Sequence, residues 1–552
     1  MNIYNREFPR AGLTSAPVFD RMPVLAELRP GERSYALSLL QHSACRAFNF
    51  RICGLLLELA ILMSPLANAA GVVSRCDDAS LNAALRGGGV VTFTCTGTLL
   101  VLTNPTVINA DTWLVGNGHV TLDGGNAAQL FVVSPGVKLT VENLSFVRGK
   151  AIDTPDFREL GGGAIDNQGT LVVRNCRFWQ NFALWGGAIY NEESGTLDVS
   201  GSTFFGNSAD FHGGAISNAG QASITNSTFY GNFADLAYPN GDGGAISNGS
   251  KMTLTNCTIT YNGAPTHDDS HPGAGGGNIA SYHQVILQNT IIANPINGGN
   301  CWTLSDRPLT NIVDGGGNLR WPGPDLDPRC PGLGSVGDPQ LIVPLHNNGG
   351  PTETLALAKT SPAIDTAVDG FCPPTDQRGV IRPQGAHCDI GAYEYATPFS
   401  LLTSVYRQLL LVPIQSYSGS VAKVQNGLID PLSRSLNPAF WHGTDGNRLD
   451  PTHGSEVFAI QQHVVNGLSN FIVGPTRLVY IQNLLLAGRV LAETAIADAQ
   501  CQSNSDLSPT PAQRSCGRAN SELVAGDTSG DAGDFGQSIE HYANAWRAVV
   551  SQ

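Results

Sequence analysis

The segment GGAISNAGQASITNSTFYGN, from Gly213 to Asn232, has near copies on both sides: GGAIYNEESGTLDVSGSTFFGN at 186–207 and GGAISNGSKMTLTNCTITYN at 243–262. Five units open on a Gly-Gly pair, at Gly162, Gly186, Gly213, Gly243 and Gly276. Each then shows a bulky residue with an asparagine three positions on: Phe178/Asn181, Phe204/Asn207, Phe229/Asn232, Ile259/Asn262 and Ile291/Asn294. One unit of this length cannot bury its own apolar side, so the repeat commits the chain to a stacked architecture. Inside each unit the text alternates, as in LVVRNCRF and ASITNSTF, which is the period of strands. No unit carries an amphipathic helix. The expectation is a mainly β fold, a right-handed parallel β-helix over residues 71–397, with neighbouring strands ~4.8 Å apart. Ile165, Ile189, Ile216 and Ile246 should stack inward, and the glycines should allow corners of positive φ and close approach of one turn to the next. Asn181, Asn207, Asn232, Asn262 and Asn294 are expected to form a ladder of amides that satisfies corner backbone groups.

These units resemble the GGAI and FxxN repeats of polymorphic outer-membrane proteins, a family of bacterial surface β-helices, over roughly residues 140–295. The text at 76–125 looks like the cap and first turns of related surface β-helices. HNNGGPTETLALAKTSPAIDTA (346–367) with DQRGVIRPQGAHCDIGAYEY (376–395) closely resembles the choice-of-anchor Q domain, placed here at about 340–397. That resemblance implies a segment closing the β-helix of an exported bacterial protein and implies no chemistry.

Function in a stacked fold sits in its insertions. Between each unit's asparagine and the next Gly-Gly pair the text lengthens: FALW (182–185), SADFH (208–212), FADLAYPNGD (233–242), GAPTHDDSHPGAG (263–275). An earlier insertion, 150–161, falls at the same corner. Stacked, these loops would carry Trp185, Asp210, Phe211, His212, Asp235, Tyr238, Asp242, His267, Asp268, Asp269 and His271. Rings beside carboxylates suit a polysaccharide or cell-surface glycan, with Tyr238 as the stacking ring. A metal at His267, Asp268, Asp269 and His271 is not expected, because the spacing fits no closed site. No cofactor is expected.

The alternative is a polysaccharide-active enzyme, a pectin-type lyase or a glycoside hydrolase. Glycoside cleavage needs carboxylates facing one bond. The polygalacturonase pattern of N-x-D, D-D, G-H-G and R-x-K is not met: Asp77-Asp78 falls in the cap and Asp268-Asp269 in a loop. The reading is therefore a binding or structural protein, with no catalytic residue assigned. The formal net charge of −14 opposes nucleic acid and anionic lipid.

RAFNFRICGLLLELAILMSPLANAA (46–70) pairs basic residues with a short apolar run and an A-x-A site at Ala67-Asn68-Ala69, which predicts a signal peptide within a leader spanning 1–70. Export makes disulfides possible. Sequence neighbours give Cys76–Cys95, Cys301–Cys330, Cys372–Cys388 and Cys501–Cys516. Cys176 and Cys257 fall three units apart in equivalent positions, beyond disulfide reach, and should be free. After Tyr395 the spacing turns helical, at 455–473, 476–500 and 534–549, which predicts a small α-helical bundle over 398–552. GDTSGDAGDFGQS (526–538) reads as a turn followed by a helix cap rather than a calcium loop, and 441–454 as a helix connector.

Overall fold

The computed structural model describes residues 71–550, apart from 96–98, 152–160, 235–240, 266–274, 304–310, 324, 328–329, 331, 414–417, 419, 473, 475 and 502–509. The leader and cleavage site expected from sequence fall outside the described residues, as do Asp235, Tyr238, His267, Asp268, Asp269 and His271. The described chain is mainly β, with long parallel sheets followed by a helical region.

Three long sheets take the strands in rotation. The first has ten strands, from Gly71–Val73 to Ile312–Asp314; the second also has ten, from Leu99–Val101 to Ser335–Val336; the third has eight, from Thr106–Ile108 to Cys301–Thr303. Within each repeat unit the chain visits the third sheet, then the first, then the second, and every pairing is parallel and in register. Ile165, Ile189, Ile216, Ile246 and Ile279 fall opposite one another and are fully buried. Phe146, Phe178, Phe204 and Phe229 stack face to face, with ring centroids 4.8, 4.7 and 4.6 Å apart. Leu171, Leu197, Ile224 and Leu254 come from the first sheet into the same core.

The two glycines of each pair have different tasks. Gly186 and Gly213 hold φ of 61° and 68°, the left-handed region that L side chains avoid. A Cβ on Gly187 would lie 2.2 Å from the carbonyl oxygen of Gly214 in the next unit, so the second glycine is fixed by backbone approach. Left-handed corners elsewhere are held by asparagine, at Asn143, Asn175, Asn226, Asn256 and Asn289, with Gly201 in the same series.

The asparagine ladder runs Asn181, Asn207, Asn232, Asn262: each Nδ2 donates to the next Oδ1 at 2.9 Å, and all four side chains are fully buried. It continues to Asn278, again at 2.9 Å, and then to Asn300. Asn294 is not a member. The strand register sets Ile259 opposite Ile292, one residue later than the sequence spacing suggests, so Asn294 falls opposite Tyr261, at a left-handed corner with φ 49°. Pro295 takes the ladder position and has no amide to offer, and Asn278 fills the gap from the preceding segment. A second ladder was not anticipated: Asn167, Asn191, Asn218 and Asn248, joined at 2.6, 2.7 and 2.8 Å. Its signal is the asparagine two residues after each isoleucine of GGAI.

Residues 341–395 return across the outer face of the second sheet. Thr203 donates to the Glu353 carbonyl, Asn226 to the Thr375 carbonyl, Thr228 to Gln377 and Asn256 to the Asp389 carbonyl. Arg382 is fully buried, bonded to Glu394 at 2.9 Å and to the carbonyls of Asp389 and Gly391. Asp376 binds Arg378 beside it. The charged letters of DQRG and GAYE are therefore internal struts.

The helical region begins at Pro398. Its principal helices are Pro398–Leu411, Ser455–Phe471, Thr476–Asp498, Pro511–Asp531 and Phe535–Val550. The first and fourth were not read from sequence. Residues 526–531 are helical rather than a turn: Asp527 binds Arg489 and receives the Tyr542 hydroxyl. Within 441–454, Trp441–His442 pairs with Arg448–Leu449 as a short antiparallel ribbon.

Four disulfides join Cys76 to Cys95, Cys301 to Cys330, Cys372 to Cys388 and Cys501 to Cys516. They fit an extracellular protein. Cys176 and Cys257 are free and buried, and burial pushes each thiol up to about 12. Among the described residues no helix is long and apolar enough to cross a membrane.

Candidate functional site

The corner singled out by the insertions is built differently from a set of loop tips. FALW and SADFH are extended: Phe182–Trp185, Ser208–His212 and Phe233–Ala234 form a small parallel sheet. Pairing places Trp185 opposite His212, and His212 opposite Asp242. Asp242 is fully buried. It accepts hydrogen bonds from Ser247 Oγ at 2.9 Å and from the Tyr282 hydroxyl, and it holds His212 Nδ1 at 3.0 Å.

Burial works against a charged His212, but the hydrogen bond and charge of Asp242 outweigh it and raise the imidazole pKa above its ordinary value. Burial also raises the Tyr282 hydroxyl strongly, and the Asp242 charge adds to the effect. Trp185 lies 6.0 Å from Tyr190 and 6.5 Å from Phe211, ring centre to ring centre. Asp210 and Phe211 are half-buried beside them.

This corrects one expectation. Asp242 cannot receive sugar hydroxyls, because its oxygens are enclosed and already serve His212, Ser247 and Tyr282. Its task is to orient that ring and that hydroxyl. The corner brings together Trp185, Asp210, His212 and Asp242 of the residues named from sequence, and adds Tyr190, Ser247 and Tyr282.

A second surface was missed. The last residues of successive strands in the second sheet turn away from the core and fall in register: Val147, Trp179, Phe205, Tyr230 and Thr260, of which Thr260 is covered and fully buried. Trp179 is 47% exposed. Its ring lies 6.1 Å from Phe205, Phe205 lies 5.6 Å from Tyr230, and Tyr230 lies 5.6 Å from Tyr261. Part of this row floors a groove of about 770 Å³, walled by Asn117 and His119 on one side and by Leu345, Asn347, Pro351 and Glu353 of the returning segment on the other. Asp531, at the end of helix Pro511–Asp531, also lines it.

Inside the groove Arg177 Nε donates to Glu353 at 2.7 Å, and Arg148 pairs with the buried Asp123. Burial raises the Asp531 pKa; His119 and Arg177 pull it down and Asp527 pushes it up. The sequence signal was the doublets Phe178-Trp179, Phe204-Phe205 and Phe229-Tyr230. Alternation sends the first of each pair into the core and the second to the surface, and only the first was used.

No protein-family model matches the chain, and no curated protein and no solved structure matches it.

Proposed function

We propose that the three parallel sheets are the faces of one right-handed parallel β-helix, and that the protein is exported to act at the cell surface or in the surrounding medium as a glycan-binding protein. The rotation of strands through the sheets and the in-register isoleucine, phenylalanine and asparagine columns support the solenoid. The resemblance to polymorphic outer-membrane repeats and to the choice-of-anchor Q segment supports a bacterial surface role, and the four disulfides agree with export. The observation that carries the binding role is the outward row of rings from Trp179 to Tyr261. Rings beside hydrogen-bonding groups are what pyranose faces and hydroxyls require, and this row is exposed at Trp179 and half-buried at Phe205, Tyr230 and Tyr261. A glycan array with the exported chain tests the reading; absence of any glycan ligand overturns it.

A second reading has its own support. Glu353 and Asp531 line one groove in different settings, the first paired to Arg177 and the second raised by burial, and two carboxylates in unlike environments are what glycoside hydrolysis uses. Release of reducing ends from a bound polysaccharide, lost in Asp531→Asn, would favour hydrolysis. Binding without product would favour the first reading.

A further inference from the structure

We propose that the groove and the ring row beyond it bind an extended, uncharged hexose chain lying along the stacking direction, one sugar to each strand. This deepens the glycan-binding reading and rests on it. Three observations carry the narrower claim.

The first is periodicity. Trp179, Phe205 and Tyr230 sit on consecutive strands of one parallel sheet, where the inter-strand repeat is about 4.8 Å, and their ring centres lie 6.1 and 5.6 Å apart. A β-1,4-linked hexose chain is an extended ribbon that advances by a similar distance per residue. Rings on neighbouring strands, tilted 31° and 23° to one another, can therefore contact successive sugars without the ligand bending.

The second is charge. The chain as a whole is acidic, with a formal net charge of −14, which repels an anionic polysaccharide at long range. A groove meant for uronates or sulfates would offset this with free cations. Here Arg177 is tied to Glu353 and Arg148 to Asp123, and no lysine lines the groove among the described residues. Paired guanidinium and carboxylate groups present donors and acceptors side by side with little net charge, which suits hydroxyls.

The third is Tyr261. It holds φ of 55° at the corner position taken by Gly206 and Gly231 in the two preceding units. A bulky side chain is uncommon in that region. Its ring lies edge-on against Tyr230 and extends the row by one step. Glycine would relieve the backbone; tyrosine supplies the ring.

The test is calorimetric titration of the whole exported chain with neutral hexasaccharides (cello-, laminari- and chito-series) and with oligogalacturonate and oligoalginate as acidic probes. Trp179→Ala/Tyr230→Ala is the ledge variant, and Trp185→Ala/Tyr190→Ala the corner control; circular dichroism and the thermal midpoint report folding. The expected result is binding of a neutral hexasaccharide that is insensitive to salt, weakened about 30-fold or more in the ledge variant and unchanged in the corner control. Tyr261→Gly should weaken it about tenfold while the protein becomes no less stable. Preference for the acidic probes, or loss of binding in the corner control alone, overturns this inference and leaves glycan binding standing. Binding of neither class overturns both.

Discussion

Asn207→Ala measures what the amide ladder contributes. The Asn207 side chain is fully buried and makes four hydrogen bonds. Its Nδ2 donates to the Phe178 carbonyl and to Asn232 Oδ1, each at 2.9 Å, and its Oδ1 receives the Asn181 backbone N–H at 3.1 Å and Asn181 Nδ2 at 2.9 Å. Truncation does not cost four bonds. Asn181 Nδ2 keeps the Phe146 carbonyl, and Asn232 Oδ1 keeps the Asn207 N–H. The Asn181 N–H, however, loses the oxygen that receives it in a place water does not reach. An orphaned buried donor costs about 1–3 kcal/mol, and the weakened second donor adds roughly 1, so the expected loss is about 2–4 kcal/mol. Asn207→Asp should be worse than alanine, because a carboxylate would face the Phe178 carbonyl and Asn232 Oδ1 with no proton to give. Asn294→Ala is the control. It sits outside the ladder at a left-handed corner, and its cost should be only about 1 kcal/mol. Urea midpoints followed by circular dichroism, compared at a shared slope, give the differences. The reasoning fails if Asn207→Ala lies within about 1 kcal/mol of wild type, or if Asn294→Ala falls as far.

Arg382→Ala should cost about 3–5 kcal/mol, because it abandons the buried Glu394 carboxylate and two carbonyls; a surface-like loss in the urea midpoint would show that the strut is dispensable. Cys176→Ser should change stability by less than about 1 kcal/mol, since Ser202 and Ser227 fill the same slot in the next units and Ser202 Oγ already serves the Cys176 N–H, and the wild-type thiol should resist thiol reagents until the chain is unfolded. His212 has a folded pKa above its unfolded value of about 6.5, so its contribution is complete below that pH and is lost as pH rises through the folded value. The stability gap between wild type and His212→Gln should therefore shrink as pH rises above about 6.5; a widening gap would contradict the His212–Asp242 assignment.

Much of the β architecture was legible because its signals are local and repeated. The Gly-Gly pairs mark positions that need either positive φ or bare backbone, and alternation marks which residues face inward. Reading failed where register slipped. Asn294 keeps the three-residue spacing from Ile291, yet the strand enters one residue later, and only pairing with Thr258–Thr260 reveals it. Reading also failed where a feature belongs to the surface between units. Trp179, Phe205 and Tyr230 are separate letters in three repeats and become a row only when strands stack. Asp242 looked like a solvent-facing acid beside a glycine pair, and its enclosure depends on Tyr282, forty residues on. The helix Pro511–Asp531 was hidden by its glycines and serines, which are poor helix formers; a proline at its start and the reciprocal bonds of Thr510 and Gln513 hold its first turn.

The returning segment changes how such a stack can come apart. Strands that touch only their neighbours would peel from an end one after another, like a zipper. Glu353, Thr375, Gln377, Asp389 and Ala392 instead grip strands that lie about a hundred and fifty residues earlier in the chain. A strand under that clasp cannot leave until the clasp opens, so the middle of the molecule should be lost as a block rather than step by step. The same geometry imposes an order on assembly: strands from Arg177 to Thr260 can form as they are made, but none of them is locked until residues 353–392 have emerged and folded back over them.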